Sequence, residues 1–268
     1  MKRYDKNNRF IEHFDYLEFI EHCRTGEKPD SQYDASDNID KSFYGTKDYN
    51  ESERFAKYGW DAGLDKLKSE EVLEINGNIK ITYGLSGGQV DVSRFLSGEP
   101  KYMISHVDEI ERNKENMTVL IPLAYNCSFS VEQGLEFTMS VLKIVNELQR
   151  DYNIQVIGLY DVEFSDHNKK STVSIVLKKY NEPLVLNSLA FSIHPGFFRR
   201  IYFRWIELQT FCEYGYGKPI ANKGLEAIHE YIQDWINWLE INEYYLLPCL
   251  SSDNKVETMK KKIIKKYE

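Results

Sequence analysis

The sequence predicts an α/β protein built on a doubly wound, mostly parallel sheet with helices on both faces, led by an α+β segment. Three observations carry that expectation. Residues 117–124 and 154–160 are apolar runs of the kind found in strands buried on both faces. Between them, residues 131–150 show helical periodicity over a length that suits a right-handed crossover. After residue 115 the order β-α-β-β-α-α-β-α is that of a doubly wound domain with an antiparallel edge strand.

From the start of the chain, Phe14, Leu17, Phe19, Ile20 and Cys23 recur at helical steps, with Gly26 as a stop and Pro29 beyond it. Residues 27–42 are polar and rich in Asp, Asn and Ser, the composition of a mobile loop. A helix is expected from near Asn50 to Gly59, with Phe55 and Tyr58 facing inward, and another from about Ala62 to Leu73. Ile75, Ile79, Ile81 and Tyr83 around Asn76-Gly77-Asn78 predict a hairpin or bent strand, which Gly84, Gly87 and Gly88 break. The string from Val90 to Pro100 reads as a strand tip, one helical turn and a Gly-Glu-Pro stop.

The expected division is therefore an α+β region over 1–114 and a Rossmann-like core over 115–268. Within the core, residues 172–177 supply a third strand, and 188–208 are helical but interrupted at His194-Pro195-Gly196. Residues 225–239 form an apolar helix in which Trp235 and Trp238 share a core-facing side. A last strand at 244–250 leads into a helix that runs to the end.

Composition narrows the classes. A chain with 42% apolar and 28% charged residues is globular rather than disordered or fibrous. It contains no run of about 18 apolar residues, and its charged start is not followed by a signal-peptide stretch, so neither a membrane anchor nor general secretion is expected. The cysteines Cys23, Cys127, Cys212 and Cys249 form no CxxC pair and read as reduced thiols. A net charge of −8 argues against broad nucleic-acid binding. The exception is the tail from Lys260 to Tyr267 with its five lysines, which also suits a solvated helix end.

Chemistry is expected beyond the carboxyl ends of the central strands. There Asn126, Ser128 and Ser130 follow the first core strand and precede a helix. They offer oxygens to a divalent cation, Mg2+ or Mn2+, with Asp161 as the nearest source of the carboxylate that a hard cation needs. The other assignment is that Ser130 caps the helix with Glu132 or Gln133 in its first turn. His194, Arg199 and Arg200 form the second candidate, able to bind an anion, with Glu207 or Asp161 as alternative structural partners for the arginines. Gly84 to Gly88 has neither phosphate-loop spacing and reads as a turn.

Two resemblances add to this. The spacing of Asn126, Ser128 and Ser130 resembles the Asp-x-Ser-x-Ser loop of von Willebrand factor A domains, with Asn126 in place of the acid. Phe43-Tyr44-Gly45-Thr46 with Ala56-Lys57-Tyr58-Gly59-Trp60 and Gly63, Val90-Asp91-Val92 through Gly98-Glu99-Pro100 to Met103, and His194-Pro195 with Arg199-Arg200 and Phe203 resemble an uncharacterised family of tailed bacteriophages and prophages. That resemblance implies a phage source and a shared fold, with no activity. The expected function is a non-enzymatic protein-binding role in the host cytoplasm or the virion. The alternative is an enzyme acting on a nucleotide or phosphate-bearing substrate at the 126–130 loop, with Arg199 and Arg200 nearby.

Overall fold

The computed structural model describes residues 1–6, 9–27, 36, 38, 40–60, 80–84, 89–90, 95, 98, 101–108, 114–164, 169–182, 184, 186–209 and 215–266. The chain divides into two compact units, residues 1–72 with 116–268 and residues 73–115. The boundary expected near 115 therefore marks the return to the larger unit, whereas residues 1–72 belong to the core rather than to a separate region. The physical reason is pairing: strand β1 (Lys2–Lys6) runs antiparallel to β2 (Arg9–Asp15), and these two strands extend the core sheet.

Helix α1 (Tyr16–Thr25) buries Phe19, Ile20 and Cys23 on the side that the apolar spacing indicates. A short α2 (Lys41–Tyr44) starts on Asp40, whose carboxylate accepts the Ser42 N–H, and ends on Gly45 at φ 78°. Only glycine suits that position, because a Cβ there would also lie 2.9 Å from His194 Cε1. Helix α3 (Tyr49–Tyr58) is capped by Asp48 and sits one residue earlier than expected. Phe55 packs edge-on to Phe191, but Tyr58 is 77% exposed and does not face inward. The helix expected at 62–73 and the Asn-Gly-Asn hairpin tip lie outside the described residues.

The smaller unit holds β3 (Lys80–Gly84), β4 (Gln89–Val90) and β5 (Met103–Asp108) in the antiparallel order β3-β5-β4. A register shift falls between Thr82 and Tyr83.

The larger unit resumes with β6 (Asn116–Pro122), α4 (Val131–Asp151) and β7 (Asn153–Phe164). These form the expected β-α-β, with β6 and β7 parallel from Asn116↔Asn153 to Pro122↔Leu159. Next come β8 (Lys169–Lys178), α5 (Leu186–Ile193), a π-helix over Phe197–Tyr202 and α6 (Phe203–Glu207). Then follow β9 (Lys218–Pro219), a 3-10 turn over Ile220–Lys223, α7 (Leu225–Trp238), β10 (Tyr244–Leu246), α8 (Val256–Lys262) and β11 (Ile264–Lys266). The lysine tail thus ends as an edge strand paired to β10, and Lys265 and Lys266 lie over the Tyr245 and Tyr244 rings. Lysines on an edge discourage further strand pairing.

The sheet order is β1-β2-β8-β7-β6-β10-β11, with β9 added to β7. Only β10, β6 and β7 form a continuous parallel block, while β8 turns antiparallel to β7 and is itself parallel to β2. The sheet is mixed, with more antiparallel pairing than a single edge strand would give. Alternation along β7 separates the two layers. Ile157 and Leu159 pack with Ile228, Ile232 and Trp235 of α7. On the other face, Tyr160 stacks on Phe197, Phe198 and Tyr202 of the π-helix.

Candidate functional site

β6 leads through α4 to β7 on one side, and β10 lies parallel to β6 on the other. Chain direction from the sheet centre reverses between these neighbours, so the loops leaving β6 and β10 diverge and open a crevice, the usual ligand position of open α/β sheets. A cleft of about 640 Å³ lies there, walled by residues 125–129 after β6, 248–253 after β10 and the stretch from Ala221 to Leu225. Tyr125, Phe129, Leu225, Leu250 and Met259 give it apolar surface, and Asn126, Ser128, Asn222, Ser251, Ser252, Asp253 and Lys262 give it polar surface. Gly224 precedes α7 and supplies no side-chain cap, so that first helical turn opens on the cleft with its backbone donors uncovered by a capping side chain.

The two polar loops hold their shape through their own hydrogen bonds. Asn126 Oδ1 accepts the Ser128 N–H at 2.9 Å, while Ser130 Oγ accepts the Gln133 N–H at 3.3 Å and Gln133 Oε1 accepts the Ser130 N–H at 2.9 Å. Ser130 is therefore a capping box that starts α4. Across the cleft, Asp253 accepts from the Lys255 N–H and the Thr258 hydroxyl, which hold its carboxyl below the usual range. Of the four oxygens considered for a cation, Asn126 and Ser128 line the cleft; Ser130 and Asp161 do not. Among the described residues, no group of three or more His, Cys, Asp or Glu is arranged to hold a metal ion.

His194, Arg199 and Arg200 are brought together, inside the protein. Arg200 donates to Thr46 Oγ1 and to the carbonyls of Ser36, Asn38, Thr46 and Lys47, with its guanidinium 4.2 Å above the Tyr44 ring. Arg199 donates to the Phe43 and Phe129 carbonyls. The hydrogen bonds described for the two arginines go to main-chain oxygens and the Thr46 hydroxyl. Glu207 instead accepts from the Ser36 N–H and hydroxyl and from the Tyr216 hydroxyl. His194 lies between Trp60 and Phe191, its Nδ1 accepts the Gly196 N–H, and burial pushes its pKa down to about 3. A π-helix is rare and widens each turn; here it carries both consecutive arginines toward the 36–47 segment, which they clasp.

Asp161 lies on the opposite face, in register with Thr172 and beneath α7. It is 3% exposed, and burial pushes its carboxyl up to about 6, with the Thr172 hydroxyl and Arg9 pulling the other way. Arg9 covers the Tyr231 ring at 4.1 Å and approaches Asp234 only at 3.5 Å. Among the described residues, six atoms of this cluster have no well-formed hydrogen-bond partner: both Asp161 oxygens, Thr172 Oγ1, Tyr231 OH, and Arg9 Nε and Nη2. Each such group costs about 1–3 kcal/mol, so together they would offset much of the roughly 5–15 kcal/mol that stabilises a domain.

Family membership rests on sequence over nearly the whole chain. The sequence model of the family described as Domain of unknown function (DUF7192) matches residues 3–267. The chain belongs to that family. No curated protein and no solved structure matches it. In this DUF7192 member the sequence does not single out the cleft wall at 221–225, the loop at 248–253 or the groups around Asp161. Ser251-Ser252-Asp253-Asn254 after an apolar strand was the visible signal for the second wall. Arg9 and Tyr231 gave none, because their meeting depends on β2 joining the sheet.

Proposed function

We propose that this protein is a binding protein that seats an extended segment of a protein partner in the cleft between the ends of β6 and β10. The observation that carries the reading is the position of a mixed apolar and polar cleft at the reversal of the parallel block. Tyr125, Leu225 and Leu250 suit apolar side chains of the segment, and Asn126, Ser128 and Ser251 suit its main-chain polar groups. The phage resemblance supports a setting in the host cytoplasm or the virion, and the order strand, Asn126–Ser130 loop, helix supports a von Willebrand A-like core. In that form of the reading, Asn126 and Ser128 bind Mg2+ or Mn2+ weakly and the partner contributes a carboxylate.

A second reading is favoured by the uncapped first turn of α7 beside Lys262, which suits a nucleotide or another phosphate-bearing ligand. Arg199 and Arg200 do not serve it, since they clasp main-chain carbonyls.

A photo-crosslinker at Ser128 tests both. The expected result is one crosslinked partner, lost when the cleft is filled by Leu225→Arg or Ser252→Trp in variants that keep wild-type circular dichroism. Crosslinking unaffected by either filling rejects the reading. Nucleotide-dependent thermal stabilisation abolished by Lys262→Glu transfers support to the second.

A further inference from the structure

Asp161, Thr172, Tyr231 and Arg9 come from β7, β8, α7 and β2; Thr172 and Arg9 lie close enough to act on the Asp161 carboxyl and the Tyr231 hydroxyl, yet none of the facing polar atoms makes a well-formed hydrogen bond. Charged neighbours among the described residues include Glu163, Asp234 and Lys170. Glu163 is paired with Lys223 at 2.5 Å, Asp234 meets Arg9 at 3.5 Å on the solvent side, and Lys170 lies 5.6 Å from the Tyr231 ring centre. The adjacent row shows what closure looks like: Ser174 Oγ meets His13 Nδ1 at 2.8 Å and the Trp235 indole N–H at 2.9 Å. One strand step away, the Asp161 carboxylate has a cation close enough to act on it electrostatically and no hydrogen bond to it.

We infer that these four side chains form a binding site for ordered water, which bridges the Asp161 carboxylate to the Arg9 guanidinium and completes the Thr172 and Tyr231 hydroxyls. Water is the occupant whose chemistry fits. The carboxylate needs donors, the guanidinium needs acceptors, and the two hydroxyls take either role, so water, at up to about four hydrogen bonds per molecule, suits all six atoms when more than one molecule is bound. A cation would meet Arg9 and an anion would meet Asp161, each at like charge. The bridge adds a polar tie to the direct contact between α7 and the sheet, where Arg9 of β2 lies 4.1 Å from the Tyr231 ring.

A crystal structure of the wild-type chain at a resolution that shows ordered solvent tests the site. The expected result is density within hydrogen-bond distance of an Asp161 oxygen and of Arg9 Nε or Nη2. In solution, magnetisation transfer from water to the amide protons of residues 161 and 172 is expected, and its weakening in Thr172→Val. A direct Asp161–Arg9 ion pair, a site without density, or a tetrahedral anion in the site overturns the inference.

Discussion

On the π-helix face Arg200 donates to one hydroxyl and four main-chain carbonyls, whereas on the α7 face Arg9 leaves two nitrogens without a well-formed partner. Both guanidiniums lie over a tyrosine ring, at 4.2 Å for Tyr44 and 4.1 Å for Tyr231. The difference lies in what faces them. A folded-back segment brings its own carbonyls to Arg200, and carbonyls accept without carrying charge that must also be desolvated. Arg9 faces the Asp161 carboxylate without a well-formed hydrogen bond to it. A saturated buried cation fastens chain to chain, and an unsaturated one makes room for a third molecule.

The largest effect is expected where saturation is broken. Arg200→Met strands the carbonyls of Ser36, Asn38, Thr46 and Lys47 and should destabilise the chain by about 3–5 kcal/mol in urea unfolding. A loss below about 1 kcal/mol would show that the clasp is not a fastening. Thr46→Val removes the acceptor of Arg200 Nε and the Ser52 hydroxyl contact, and should cost about 2–3 kcal/mol.

Acid should loosen the same face. His194 is held neutral with its pKa lowered from 6.5 to about 3, so below pH 6.5 the unfolded chain binds a proton that the folded chain refuses. Stability from this group is complete above pH 6.5 and falls as pH drops, by about 2 kcal/mol between pH 6.5 and 4.5. His194→Gln should flatten that part of the stability curve. A variant with unchanged pH dependence would assign the acid sensitivity elsewhere, for instance to His13, whose pKa is lowered by burial to about 4.

The clasp also explains which features the sequence disclosed. The central β-α-β was legible because apolar runs and a 21-residue amphipathic helix, α4, are local patterns. The capping box at Ser130 was legible for the same reason. The N-terminal strands were not, since β2 pairs with β8 across more than 150 positions and its alternation is blurred by a buried Glu12 held by the Trp205 indole. Residues 27–42 carry the composition of a loop, yet Ser36 is fully buried because Glu207 and Arg200 bind it. Half of the cleft was legible, the 126–130 loop. Its other wall depends on β10 lying beside β6, which no local pattern encodes.

A smaller effect is expected at the start of α4, where the Phe129 carbonyl accepts from Arg199 and the next residue caps the helix. Ser130→Ala should cost about 1 kcal/mol, and Ser130→Asp should restore most of it. An unaltered melting temperature in Ser130→Ala would show that the arginine alone fixes this junction.

The smallest effect is expected at Thr172, and it sets the two faces side by side through one substitution. Thr46 and Thr172 are both buried, at 1% and 0% exposure, and Thr→Val exchanges a hydroxyl for a methyl of nearly the same size in each. At Thr46 the hydroxyl meets Ser52 at 2.7 Å and Arg200 Nε at 2.9 Å, so the exchange leaves two buried polar groups without their partner. At Thr172 the hydroxyl has no well-formed protein partner, so the methyl strands no protein donor and removes one of several groups around the bridging water. Thr172→Val should therefore change stability by less than about 1 kcal/mol, a fraction of the Thr46→Val effect measured under the same conditions. Equal losses at the two sites would mean that Thr172 bonds directly to Asp161 or Tyr231, and that the α7 face is closed by protein groups alone.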